Sequence, residues 1–174
     1  MEVYNDQVLC YKFSGNKKVF MYKSREALKA RTKFGPSRAH LQVGLGWLTD
    51  DKEILKLRDQ YGTSVAHLQA CQGWITNDKE ILKLCDEYKI SVAHEQAFRG
   101  WTTEDPEILA LATKDGLTVV EIQAERSGWE PEEEVKVRFI QELQKSFPEE
   151  KVQEILCNID KLRKKYFEKI LLGR

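Results

Sequence analysis

The sequence has no CxxC pair. Its four cysteines, Cys10, Cys71, Cys85 and Cys157, fit no zinc-ligand spacing. It also lacks long apolar runs: Lys12, Lys17 and Lys18 interrupt the N-terminal hydrophobic residues, which excludes a secretory signal core. No stretch approaches the roughly 20 apolar residues needed to span a bilayer. Free thiols in the reducing cytoplasm and no membrane partner are expected. P-loop, GxSxG, HExxH and dinucleotide fingerprints are missing, as is any nucleophile paired with a base. The chain is therefore expected to be no enzyme and to carry no cofactor and no metal. It has no excess of either charge, with 28 basic against 28 acidic residues. The balance is uneven along the chain, however. Residues 1–49 carry 9 Lys/Arg and 3 Asp/Glu, residues 50–130 carry 9 and 16, and residues 131–174 carry 10 and 9. A basic head thus precedes an acidic middle.

What is present is repetition. GPSRAHLQVGLGWLTDDKEILKLRDQY (35–61), GTSVAHLQACQGWITNDKEILKLCDEY (62–88) and KISVAHEQAFRGWTTEDPEILALATKD (89–115) are copies of one unit. A worn fourth copy, GLTVVEIQAERSGW, runs from Gly116 to Trp129. Trp47, Trp74, Trp101 and Trp129 stand 27, 27 and 28 residues apart, which places one inserted residue near Ser127. His40, His67 and His94 keep the same 27-residue step. Fixed spacing of this kind marks stacked supersecondary units.

Each copy predicts two helical segments. The first opens on a hydroxyl N-cap, Ser37, Ser64, Ser91 or Thr118, and stops at the glycine before tryptophan. The second opens at Asp50, Asn77 or near Glu104; Glu53 and Glu80 approximate a capping box, and Pro106 sits in a first turn. Ile54/Leu55/Leu57 and their counterparts supply its apolar stripe. Gly62 and Gly116 suit a left-handed residue after this segment, a place where Lys89 is less comfortable. Ahead of the repeats, VLCYKF and VFMYK read as a β-hairpin turning at Ser14–Lys17, with Glu2–Tyr4 as a third short strand. This hairpin either caps the first repeat or offers an edge strand to a partner. Behind the repeats, 132–147 and 149–172 read as helices broken around Pro148. Val152, Ile155, Leu156, Ile159, Leu162, Tyr166 and Ile170 form one apolar face of the second. That pair either seals the fourth repeat or dimerises.

S-V-A-H-x-Q-A followed by glycine and E-I-L-K-L resembles the ankyrin repeat, whose first helix opens T-P-L-H-x-A-A. Ser64, His67 and Ala70 match its Thr, His and second Ala, and Val65 and Ala66 replace Pro and Leu. The match covers about residues 24–129, with a period of 27 where ankyrin has 33. The resemblance implies a mainly α fold. Its expected form is an ankyrin-like helical-repeat solenoid without the β-hairpin finger, with an N-terminal β-hairpin cap (1–23), four repeats (24–130) and a C-terminal helix-pair cap (131–174).

His40, His67 and His94 cannot share one metal, because packed helices lie about 8–10 Å apart and zinc ligands about 2.1 Å from their ion. The family's histidine holds the turn through backbone hydrogen bonds, and these three are expected to do the same. Gln42, Gln69, Gln96 and Gln123 read as an amide ladder between repeats or as a polar stripe lining a groove. The four tryptophans read as packing at the helix ends or as an exposed binding strip. Binding specificity in repeat proteins resides where copies differ. The varying columns single out Glu95, Phe98 and Arg99, with Arg126, as a partner-binding site mixing an aromatic side chain with arginine. The expected function is a non-catalytic module for a protein partner. The alternative is nucleic-acid binding through Arg25, Lys29, Arg31, Lys33 and Arg38, which strong salt dependence would reveal.

Overall fold

Recurring polar positions in the sequence copies set the local structure, although Ser37 of the first copy is an N-cap with no side-chain cap bond. Ser64 and Ser91 accept the backbone N–H of His67 and His94 and so start the helices Val65–Cys71 and Val92–Phe98; Thr118 starts Val119–Ser127 in the same way. The second segment begins one residue later than its sequence suggests. Thr49, Thr76 and Thr103 accept the N–H of Asp51, Asp78 and Asp105, and those aspartates are the N-caps. A side chain bonding the backbone two residues on is a turn device, and it uses up the residue between as a spacer.

The computed structural model describes residues 6–14, 17–33 and 35–172. The proposed strand Glu2–Tyr4 and the turn residues Gly15 and Asn16 lie outside them. In chain order the elements are β1 (Gln7–Ser14), β2 (Lys17–Ser24), α1 (Arg25–Lys29), α2 (Arg38–Gly44), β3 (Leu48–Thr49), α3 (Lys52–Leu55), α4 (Val65–Cys71) and α5 (Lys79–Leu82). They continue with α6 (Val92–Phe98), α7 (Pro106–Leu109), α8 (Val119–Ser127), α9 (Glu133–Ser146) and α10 (Glu149–Leu171). The chain divides into two compact units, residues 1–87 and 88–174.

This architecture corrects the expected mainly α, ankyrin-like solenoid with its two caps. The second segment of each copy is one four-residue turn, α3, α5 or α7, not the partner of a helical pair. K-E-I-L supplies only two adjacent apolar residues, and both are buried; the third, Leu57, lies past the helix end, where its N–H bonds Ile54 in a tighter turn. The N-terminal strands are not a separate cap either. Leu48 and Thr49, from inside the first copy, pair with Tyr11 and Cys10 and complete a three-stranded antiparallel sheet in the order β2-β1-β3. The last two helices pack on the third and fourth copies. Phe139, Leu143, Val152, Ile155 and Ile159 form one core with Leu109, Val120 and Ala124. The fold is mixed: ten helices and a small antiparallel sheet among the described residues.

In the first unit, ion pairs repeat with the sequence. Arg25 meets Asp51 at 2.6 Å and Lys52 meets Asp78 at 2.5 Å, while Lys29 meets Glu53 at 2.8 Å and Lys56 meets Glu80. The Lys52 ammonium, with help from the N–H groups of Ile81 and Glu80, holds the Asp78 carboxyl below its ordinary pKa against the opposing effect of burial. Arg31 donates to the carbonyls of Gly35 and Arg58, and Arg58 repeats this on Gly62 and Cys85.

In the second unit, Lys89 stands where other copies place glycine and adopts φ 58°. A side chain in the left-handed region costs about 1–2 kcal/mol, part of which glycine loses again through its freer unfolded state. Lys89→Gly is expected to raise stability by about 0.5–1 kcal/mol, read as a higher urea midpoint at unchanged slope.

Candidate functional site

The histidines bond the backbone around them. In the second unit the Ser91 N–H donates to His94 Nδ1 at 3.1 Å and the Ser91 hydroxyl sits 2.6 Å from the same nitrogen. Nδ1 is therefore the acceptor and Nε2 carries the proton. Nε2 donates to the Leu117 carbonyl at 3.2 Å, tying one copy to the residue before the next N-cap. In the first unit His40 makes the same contact with Thr63 at 3.1 Å, and the Ser64 N–H donates to His67 Nδ1 at 3.2 Å. The fourth copy changes the chemistry and keeps the cap: Glu121 Oε2 accepts from the Thr118 N–H and hydroxyl, and its other oxygen accepts from Asn158 of α10.

The glutamines diverge. Gln69 is fully buried and bonds both backbone groups of Thr49 in β3, at 2.9 and 3.1 Å. Gln96 is buried and Gln42 half-buried. Gln123 is fully buried, yet neither of its amide atoms has a hydrogen-bond partner among the described residues. Of the tryptophans, Trp74 is buried, and Trp47, Trp101 and Trp129 are half-buried. The N–H groups of Trp47, Trp74 and Trp101 close the preceding helix onto the carbonyls of Gln42, Gln69 and Gln96 after a left-handed glycine. Trp74 Nε1 and the Tyr11 hydroxyl share one Asp50 oxygen, at 3.0 and 3.3 Å. Burial, with the Asp50 carboxylate adding to it, pushes the Tyr11 hydroxyl up to about 12, so it remains a donor.

The partner-binding residues proposed from the varying columns lie in the second unit. Phe98 and Arg126 come together, with the guanidinium 5.8 Å from the ring centre. Glu95 is half-buried on α6 and Arg99 is exposed at its C-cap; neither lines the groove that Arg126 enters. That groove, about 320 Å³, lies between α8 and α10 and is lined by Glu125, Arg126, Leu162, Lys165, Tyr166, Lys169 and Ile170. Three cations and one carboxylate thus line it together with Leu162, Tyr166 and Ile170.

Gly128 builds the groove. A Cβ there would come within 2.5 Å of the Tyr166 ring, and its φ of 65° ends α8. Only glycine lets α10 approach this closely. Arg163 fixes the approach through the Gly128 carbonyl and a 2.6 Å pair with Glu130. The α10 residues lie outside the repeats, so no column of the repeat contains them. The signal that reveals them is the i,i+4 spacing of Lys165/Lys169 and of Leu162/Tyr166/Ile170 on one helix.

The basic head is largely engaged: Arg25 and Lys29 are in ion pairs and Arg31 holds two carbonyls, while Arg38 is exposed on α2. No described helix is long and apolar enough to cross a membrane. Set against protein-family models, curated proteins and solved structures, the chain matches none of them. The ankyrin-like resemblance therefore rests on its motif residues alone.

Proposed function

We propose that this chain is a non-catalytic protein-interaction module whose α8/α10 groove takes an acidic segment anchored by an apolar side chain. The observation that carries this reading is the groove's make-up: Arg126, Lys165 and Lys169 around Leu162, Tyr166 and Ile170. Cations beside apolar side chains suit a partner that pairs carboxylates with a leucine or aromatic anchor. The groove is also fixed before binding, by the Gly128 approach and the Arg163–Glu130 pair, which lowers the entropy cost of association. His40, His67 and His94 bond the backbone around them, and Gln69, Gln96, Gln123 and Trp74 are buried, which leaves the exposed varying positions for recognition.

Nucleic-acid binding by the basic head has weaker support, because Arg25, Lys29 and Arg31 already serve internal partners. A display selection of random peptides on the immobilised chain tests the proposal. Enrichment of peptides with Asp or Glu beside Leu, Phe or Trp is expected, with their loss on a folded Arg126→Glu/Lys165→Glu variant. Basic consensus peptides, or full retention by that variant, would sink the groove assignment. Nucleic acid retained by the chain and stripped by salt would favour the basic head.

A further inference from the structure

We infer that β2 is a docking edge for an extended acidic segment, which adds to the sheet as a fourth strand. In the order β2-β1-β3, β2 is an edge of eight residues, and no described strand pairs its side away from β1. A long edge is a row of unused backbone donors and acceptors, and a strand laid against it gains a ladder of hydrogen bonds. The register sets Phe20 opposite Tyr11 and Lys18 opposite Phe13 on one face, with Val19 opposite Lys12 and Met21 opposite Cys10 on the other. Phe20 is 55% exposed and Val19 41%, so apolar surface is open on both faces at the centre of the edge. Around that centre stand Lys17, Lys18 and Lys23. None of these three has an ion pair among the described residues, and β2 itself carries no carboxylate. The Lys18 ammonium rests 3.6 Å from the centre of the Tyr11 ring.

These features define the occupant. A strand paired with β2 meets apolar neighbours at three central positions, opposite Val19, Phe20 and Met21, and lysines at both ends. It therefore carries acidic ends around an apolar centre. A second copy of the chain does not meet this description, because antiparallel β2–β2 pairing centred on Phe20 sets Lys17 of each copy against Lys23 of the other, and like charges directly opposite are unfavourable. Lysines on an edge also block self-association. The two roles differ in one respect: a guarded edge repels strands of any kind, whereas this edge binds an acidic one.

The probe is a fluorescein-labelled peptide, Glu-Thr-Val-Val-Val-Glu-Glu, followed by anisotropy with the full chain. It is expected to bind, and to bind about tenfold more weakly when its central valine is proline, which removes a ladder donor and bends the strand. Lys17→Glu/Lys23→Glu, checked as folded by circular dichroism, should abolish binding. Hydrogen exchange of the bound complex should show new protection on the β2 amides that point away from β1. Heptaglutamate or the proline peptide binding as tightly as the probe would overturn strand addition in favour of charge attraction alone. No binding of the probe would overturn it in favour of a guarded edge. A dimer by light scattering that the same double variant dissociates would overturn it in favour of a second copy.

Discussion

Replacing His94 by alanine is expected to destabilise the chain by about 3 kcal/mol, whereas glutamine should cost only about 1 kcal/mol. His94 is fully buried, and its ring satisfies the Ser91 N–H on one side and the Leu117 carbonyl on the other. Alanine strands both groups and leaves a cavity, and each stranded group costs about 1–3 kcal/mol. Glutamine accepts from the N-cap backbone as in an ordinary capping box and keeps amide hydrogens for the carbonyl. Glutamate separates this explanation from simple side-chain size. At position 121 a carboxylate succeeds because Asn158 donates to its second oxygen. At position 94 the second oxygen would face the Leu117 carbonyl, acceptor against acceptor. His94→Glu should therefore cost at least as much as alanine. Urea unfolding of the three variants decides the matter; glutamate matching glutamine would refute the bonding scheme.

The second large effect is a contrast between two glutamines that look alike in the sequence. Gln69→Met should cost about 2–3 kcal/mol, because it strands the buried N–H and carbonyl of Thr49. Gln123→Met should be neutral or stabilising by about 1–2 kcal/mol, because it removes two buried amide atoms that have no partner. Methionine nearly conserves volume, so packing changes little at either site. Thermal unfolding of the two variants side by side gives the answer. A clear loss at Gln123 would mean that bound water satisfies its amide.

Legibility follows from how far each residue's bonding partner lies along the chain. Ser64, Ser91 and Thr118 bond three residues on, so their role as N-caps can be read from the local sequence. The shift of the second N-cap from Asp50 to Asp51 was also local, but it depends on the Thr49 hydroxyl reaching the Asp51 N–H. β3 has only two residues, too few for any alternating pattern, and it exists because β1 lies beside it. The ankyrin-like reading failed on length: an apolar pair such as Ile54–Leu55 fits one turn as readily as a longer helix, and only the turn forms. At the candidate site the columns of the repeat point to Phe98 and Arg126, which meet, and to Glu95 and Arg99; of the four only Arg126 lines the groove. Lys165, Tyr166 and Lys169 complete the groove across about 40 residues of chain, a distance that no repeat column spans.

The most direct measurement is a calorimetric titration of an acidic, apolar-anchored peptide into the native chain and a Phe98→Ala/Arg126→Ala variant, with thermal unfolding of both. Removing the guanidinium and the ring that supports it should weaken binding at least about tenfold, a loss typical of a central anchor. The melting temperature should stay within a few degrees, because both side chains are at least partly exposed. Unchanged affinity in the folded variant would contradict the groove as the binding surface.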